Sequence, residues 1–311
     1  MAEKILVLGS SNVDLVVKIP HFHQPGETII GEDRVIAFGG KGANQAIAAR
    51  RLGADVDFLT KLGRDSWGES YRQYLGRHGL NRRFLLTDKK RATGMAMIEV
   101  SPQGENRIVV SPGANASLVP ADLERFPHIW DGVKIFLTQM ETSLPSVFTA
   151  LNMAKKHDVL TVLNPAPAPS DPPSSRLLGL VDFLVPNEWE AQALSGIRLK
   201  KDSDLPQMAK RLLDQGVGNV VVTRGPQGLF FKNPHEEIWM KAFKVKAIDT
   251  TAAGDAFVAA LACGLAAGKP WREVLRWANG AGALAATTLG AQPSLPRRKD
   301  LQRFLARHSS P

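Results

Sequence analysis

Residues 37–63 read AFGGKGANQAIAARRLGADVDFLTKLG. A helix-like segment, GANQAIAARRLG (42–53), passes directly into an apolar, strand-like one, DVDFLTKLG (55–63). Another such strand, KILVLGS (4–10), precedes them. Both strands are apolar along their length instead of alternating with polar residues, the pattern of strands covered on both faces in a parallel sheet. Strand, helix and strand in succession imply right-handed crossovers and an α/β, doubly wound, mostly parallel sheet flanked by helices.

The same rhythm continues downstream. KIFLTQM (134–140) leads to LPSVFTALNMAKKH (144–157), then VLTVLN (159–164) and VDFLVPN (181–187). Helices are expected near 188–195 and 204–215, then a strand in NVVVTRG (219–225). The last third reads as helices over 254–269, 271–290 and about 297–308, the first two rich in Ala and Gly. Two stretches break the alternation. Residues 13–38 hold VDLVVKIP, ETIIG and RVIAF with no helix between, and residues 93–111 read as a hairpin around Pro102–Gly104. These β-only insertions are either an edge extension of the main sheet or a small projecting lid, and pattern alone leaves both open.

At 311 residues the chain is expected to be a single domain spanning 1–311. Its 44% hydrophobic and 22% charged residues are those of an ordinary globular protein. No apolar run approaches the ~18 residues of a membrane span, and the start MAEKILVLGS lacks a cationic leader, so no membrane association is expected. Cys263 is the only cysteine, which suits a reducing compartment such as the cytoplasm. The net charge of +9 raises the question of nucleic acid. The basic residues are scattered pairs, however, and the clusters Lys89-Lys90-Arg91 and Arg297-Arg298-Lys299 lie far apart without interleaved aromatics. No nucleic-acid partner is expected.

In such folds ligands bind beyond the carboxyl ends of the strands, and four motifs fall there. In FGGKGANQ, a Gly-Gly-x-Gly turn opens a helix, with Lys41 adding a cation and Asn44 an amide. The spacing is neither that of a Walker A loop nor of a dinucleotide fingerprint. In IDTTAAGDAFVAAL (248–261), Ala252, Ala253 and Gly254 offer unencumbered amides at a helix entrance, and Asp255 follows them. Asp255 is either a helix cap or a general base beside an oxyanion cradle. Asn187 and Glu190 lie one helical turn apart, as a capping box or as groups that hold Mg²⁺ through its waters. VVTRGPQG ends a strand in a Gly-Pro turn where a nucleotide can lie.

Taken together, GSSNVDL, PGETIIG, FGGKGANQA, PGANASL, QMETSLPSV, LNPAPA, PNEWEAQALSG, VVVTRGPQG, AIDTTAAGDAFVAAL and GAQPSLP, in order from residue 9 to 296, resemble the ribokinase-like (PfkB-type) carbohydrate kinase family. GGKGANQAIAARRLG and DTTAAGDAFVAAL correspond to its two signatures. The resemblance implies phosphorylation of the 5-hydroxyl of D-ribose by ATP, with a sibling sugar kinase such as a deoxyribokinase as the alternative. It implies sugar contacts from Asn12, Val13, Asp14, Gly40, Lys41, Gly42, Ala43, Asn44, Glu141 and Asp255. Asp255 becomes the general base, with the amides of Ala252, Ala253 and Gly254 as the anion hole. ATP is implied to contact Asn187, Thr223, Arg224, Gly225, Pro226, Gln227, Gly228, Gly254, Asp255 and Asn279, with Mg²⁺ near Glu190. K⁺ is implied at Asp249, Thr251, Ala285, Thr288, Gly290 and Ser294. The insertions at roughly 13–38 and 93–111 become a lid that also joins two subunits of a homodimer. Three positions depart from the family pattern: Ala252 stands where Gly is usual, Arg224 where a smaller residue is common, and Asn279 where His is common.

Overall fold

The computed structural model describes residues 2–169 and 171–308. Its strands are β1 (Lys4–Leu8), β2 (Asn12–Lys18), β3 (Val35–Gly39), β4 (Asp55–Gly63), β5 (Leu85–Asp88), β6 (Gly94–Val100), β7 (Asn106–Ser111), β8 (Val133–Gln139), β9 (Leu160–Asn164), β10 (Phe183–Leu184), β11 (Asn219–Thr223), β12 (Leu229–Lys232) and β13 (Glu237–Met240). The helices are α1 (Lys41–Arg51), α2 (Ser66–Arg77), α3 (Pro120–Glu124), α4 (Leu144–Lys156), α5 (Ser175–Leu178), α6 (Glu188–Ser195), α7 (Leu205–Asp214), α8 (Ala253–Ala266), α9 (Trp271–Ala285), α10 (Ala291–Ser294) and α11 (Arg298–Arg307).

Nine strands form one sheet in the order β13-β12-β11-β10-β9-β8-β1-β4-β5. From β5 to β11 every pairing is parallel, and β12 and β13 add an antiparallel edge. Strand residues alternate between faces, so β1 feeds two cores at once. Ile5 and Val7 pack with α1, α8 and α9, whereas Leu6 and Leu8 pack with α4, α6 and α7. That double burial is why the strands carry no polar alternation.

The β-only insertions form a separate four-stranded sheet, order β3-β2-β6-β7, and not an edge extension. β2 pairs in parallel with β6 and antiparallel with β3, and β6 and β7 make the expected hairpin. Its turn is closed by Gly104 N–H donating to the Ser101 carbonyl, 2.9 Å. ETIIG (27–31) is not a strand; the Glu32 amide simply donates to the Lys18 carbonyl, 2.9 Å.

Other departures have local causes. The strand read over 181–187 is regular only at Phe183–Leu184, because Pro186 has no N–H to give to a ladder. The helix read over 271–290 stops at Ala285, and 286–290 become a loop. The helix read over 254–269 is Ala253–Ala266, with Gly268 at φ 64 beyond its end. β1, β4 and β8 to β11 all bring their carboxyl ends to one edge of the sheet, and the four motifs sit there.

Candidate active site

The entrance of α8 decides how Asp255 is used. Ala252 is the N-cap residue in a left-handed conformation, φ 60 and ψ 7, and no side chain caps the helix. Asp255 is in the first turn but turns away from its own amides. Its Oδ2 accepts from Asn44 Nδ2 at 2.9 Å and its Oδ1 from Gln45 Nε2 at 3.0 Å, both from α1. The carboxylate is therefore not a cap. It is only 6% exposed, and burial pushes its pKa up, against the opposing pull of Lys41, Asn44 and Gln45. The Ala253 amide donates to the Thr250 carbonyl, 3.1 Å. Among the described residues the amides of Ala252, Gly254 and Asp255 have no acceptor, so the open set is shifted from the expected Ala252–Gly254. Nothing lies within 4 Å of where a Gly254 Cβ would stand, which leaves the space over these amides clear.

The glycine loop ahead of α1 behaves differently from the simple expectation of amides offered to a ligand. Lys41 N–H donates to Glu141 Oε2 at 3.0 Å, Gly42 N–H to Ser10 Oγ at 3.3 Å, and Ala43 N–H to the Ser10 carbonyl at 2.9 Å. Asn44 N–H returns to the Gly40 carbonyl, 2.9 Å. The first three of these amides fasten the loop onto the segments after β1 and β8. The glycines are there for that approach: a Cβ on Gly42 would stand 2.5 Å from the Ser10 nitrogen, and one on Gly40 2.7 Å from the Asn12 nitrogen. What the loop leaves for a ligand is side chains, Lys41 and Asn44. The Asn44 Oδ1 is buried without a partner. Burial works against charge on Lys41, but Asp255, Glu141 and Glu190 outweigh it and hold the ammonium above its usual pKa.

Asn12 and Asp14 come from β2. The Asn12 Oδ1 accepts from Asn115 Nδ2, 2.7 Å, which leaves its own NH₂ as a donor. Asp14 is pushed up to about 7 by burial, then by the neighbouring charges of Glu141 and Asp255. Val13 faces the other way and is 1% exposed, so its side chain belongs to the core. Glu141, just after β8, accepts from Ser10 Oγ as well as from Lys41.

On the far side of Asp255, Asn187 caps α6 in a full capping box. Its Oδ1 accepts from Glu190 N–H and Glu190 Oε2 accepts from Asn187 N–H, each at 2.8 Å. The box does not take Glu190 out of the site's field: burial raises its pKa, opposed by the Asn187 amide and by Lys41 and reinforced by Asp255. Thr223 bridges to Asn187 where β11 ends. Gly225 at φ 52 and Gly228 at φ 100 form the turn around Pro226 and Gln227, and a Cβ on Gly228 would meet the Met240 carbonyl at 2.0 Å. Arg224 does not face solvent. The residue is 7% exposed, and its guanidinium donates to Glu188 (2.9 Å), Asp202 (2.6 Å) and Gln227 while covering the Trp239 ring. Asn279 ties α9 to the Lys241 carbonyl through Nδ2, 2.8 Å.

Behind the α8 entrance, Asp249 gathers the remaining loop. Its Oδ1 accepts from the Thr251 amide (2.8 Å) and hydroxyl (2.5 Å), and its Oδ2 from the Gly290 amide, 2.8 Å. Those bonds lower its pKa despite the opposing effect of burial. Thr288 N–H turns back to the Ala285 carbonyl, 3.1 Å, and Ser294 Oγ to the Ala291 carbonyl, 2.7 Å. Asp249, Thr251 and Gly290 are thus joined directly; Ala285, Thr288 and Ser294 lie in the adjoining turns. Sequence reasoning marked Ser10 and Asn164 only by their place at strand ends, within Gly9–Asp14 and Asn164–Pro165, and did not single out Gln45, Asn115 or Gln139; all five are buried polar residues bonded into the site. Each sits inside a resembling motif, but a lone amide or hydroxyl there carries no spacing signal.

Residues 2–298 match the profile described as pfkB family carbohydrate kinase. A relative from Haemophilus influenzae, Ribokinase, is 39% identical over 305 residues, covering 98% of this chain and 99% of its own. A Deoxyribokinase from Salmonella typhi is 32% identical, with 97% and 98% covered. Among solved structures, Arabidopsis thaliana Ribokinase complexed with Ribose and ATP superposes with a TM-score of 0.90 at 31% identity, covering 98% of this chain and 99% of that one. The chain belongs to the pfkB family of carbohydrate kinases.

Proposed function

We propose that the protein transfers the γ-phosphoryl group of ATP to the 5-hydroxyl of D-ribose, giving D-ribose 5-phosphate and ADP. One observation carries the reading: a buried carboxylate, Asp255, stands beside free backbone amides at a helix entrance, with a cluster of polar side chains around it. Asn12, Asp14, Lys41, Asn44 and Glu141 provide donors and acceptors for several hydroxyls, the composition that discriminates polyols by leaving a buried group unpaired when a hydroxyl is missing. Asp255 accepts the proton of the 5-hydroxyl as its oxygen attacks phosphorus. The amides of Ala252, Gly254 and Asp255, with the positive end of α8, receive the charge that builds on the phosphoryl oxygens. ATP lies along Asn187, Thr223, the Gly225–Gly228 turn and Asn279, with Arg224 holding that turn in shape.

Glu190 suits Mg²⁺ reached through water, because both its oxygens already face Asn187; when bound there, the ion would offset charge between the phosphates. Backbone carbonyls around Asp249, Thr251 and Gly290 suit K⁺, a weakly hydrated cation, and its charge would reinforce the adjacent anion hole. The carbonyls of Asp249 and Thr251 accept no backbone hydrogen bond among the described residues, so that donor set fits. The four-stranded sheet closes over the sugar and joins a second copy, and the single Cys263 suits a cytoplasmic setting. Phosphorylation of ribose and 2-deoxyribose compared at sub-saturating sugar tests the substrate. A higher kcat/KM on 2-deoxyribose would assign the chain to the deoxyribokinase-like alternative.

A further inference from the structure

Four polar side chains from four different elements meet beneath the α8 entrance, and only one of them has been given a role. Gln45 (α1), Gln139 (the last residue of β8) and Asn164 (the last of β9) are 0%, 1% and 8% exposed. Gln45 Nε2 donates to Asp255 Oδ1 at 3.0 Å and to Asn164 Oδ1 at 3.2 Å. Gln139 Nε2 donates to Gln45 Oε1 at 2.5 Å, and Asn164 Nδ2 donates to the Val185 carbonyl at 2.8 Å. Every orientation in this chain is forced. The Val185 carbonyl turns the Asn164 oxygen toward Gln45, and the Gln139 NH₂ requires the Gln45 oxygen. A reversed Gln45 would set its oxygen against those of Asp255 and Asn164. Its NH₂ therefore has nowhere to point but at the carboxylate.

Burying three amides in the core of an α/β fold, where apolar residues would pack as well, is unfavourable unless each is bonded. Even so, the Gln139 Oε1 remains without a partner. Core stability does not account for that arrangement, whereas the fixing of one carboxylate does.

We propose that Gln45, locked by Gln139 and Asn164, is the positioning residue of the phosphoryl-transfer step. It holds Asp255 Oδ1 as a fixed acceptor and leaves Oδ2, whose other neighbour is Asn44, to take the sugar proton. The proposal rests on Asp255 being the general base. A hydrogen bond donated to a carboxylate favours its charged form, so losing Gln45 makes Asp255 easier to protonate. The charged groups that also act on Asp255 are Lys41 from α1, Glu141 after β8, Glu190 from α6 and Asp14 from β2, and none of them is altered by changing Gln45.

The test is the pH dependence of kcat with saturating ribose and ATP, where the acid limb reports the base in the bound complex. Gln45→Met is expected to lower kcat at neutral pH by about tenfold or more, to move the acid limb up by about one pH unit, and to keep the ribose KM within about threefold. Gln139→Leu, which frees the Gln45 amide to rotate, is expected to move the limb in the same direction by less, and stands in if Gln45→Met does not fold. Asp255→Asn is the control. If it keeps substantial turnover, the base assignment fails and the proposal with it. If it is inactive while the folded amide variants titrate like the wild type, only the positioning role is overturned. A loss of kcat in those variants with an unmoved limb also overturns it, because a purely structural residue would give that result.

Discussion

At the scale of single residues the α8 entrance holds its amides open at a local cost. Ala252 occupies φ 60, a conformation that is unfavourable by about 1 kcal/mol for a residue with a Cβ. Glycine at this position would lose that strain but gain freedom in the unfolded chain. Ala252→Gly is expected to raise unfolding free energy by at most about 1 kcal/mol with kcat changed less than threefold, read by urea titration and steady-state kinetics. A fall in stability would mean that the strain is already absorbed by the loop. Asp14 shows the opposite trade. Its folded pKa of about 7 lies above the ordinary aspartate value of 3.8, so the unfolded state releases the proton first as pH rises. Its contribution is therefore most favourable at low pH and is lost between those values. Asp14→Asn should be close to neutral for stability at pH 4, stabilise the sugar-free protein at pH 8 on the order of 1–3 kcal/mol, and weaken ribose binding at both. Equal effects on stability at the two pH values would contradict the raised pKa.

At the scale of elements, motifs and supports differed in how legible they were. Asp255, Lys41, Asn44 and the Asn187/Glu190 pair stand in short runs whose spacing carries a mechanism, and the structure brings them to one edge. Gln45 and Gln139 sit on a helix face and at a strand end, where an amide looks ordinary until the sheet order makes them neighbours, and Asn164 was marked only by its place at the end of a strand. Arg224 is the reverse case. It stands in the turn that the resemblance gives to ATP, and what the sequence did not show is that Glu188 and Asp202, 36 and 22 residues upstream, bind its guanidinium. The capping box of α6 allows its structural and ligand roles to be separated. Glu190→Gln keeps acceptor and shape but removes charge, so helix content should hold while the Mg²⁺ concentration for half-maximal activity rises about tenfold. An unchanged Mg²⁺ requirement would leave Glu190 as a cap alone.

At the scale of the whole molecule, the parallel sheet was legible because strands buried on both faces have nowhere to put polar residues. Its antiparallel edge was not, since β12 and β13 are four residues each and too short for periodicity to register. β5 and the short helices escaped for the same reason, and α2 carries no motif. The β-only insertions could be seen but not placed, and only the coordinates separate them from the main sheet. That small sheet exposes Val35, Ile108, Val109 and Val110 at 61%, 52%, 62% and 47%, an apolar surface on its outer strands of the kind that associating proteins cover. A dimer formed through it should weaken at least tenfold in Val109→Glu, seen as a shift toward monomer in sedimentation velocity. A wild type that sediments as a monomer at every concentration would refute the joined sheets. The central claim is that Asp255 removes the proton from a sugar hydroxyl as the phosphoryl group arrives. It is tested most directly by measuring ribose 5-phosphate formation and ribose affinity side by side in the wild type and in Asp255→Asn. The account predicts turnover lower by roughly 10² or more with ribose still bound at near-native affinity; a variant that turns over normally, or one that has merely lost the sugar, would contradict it.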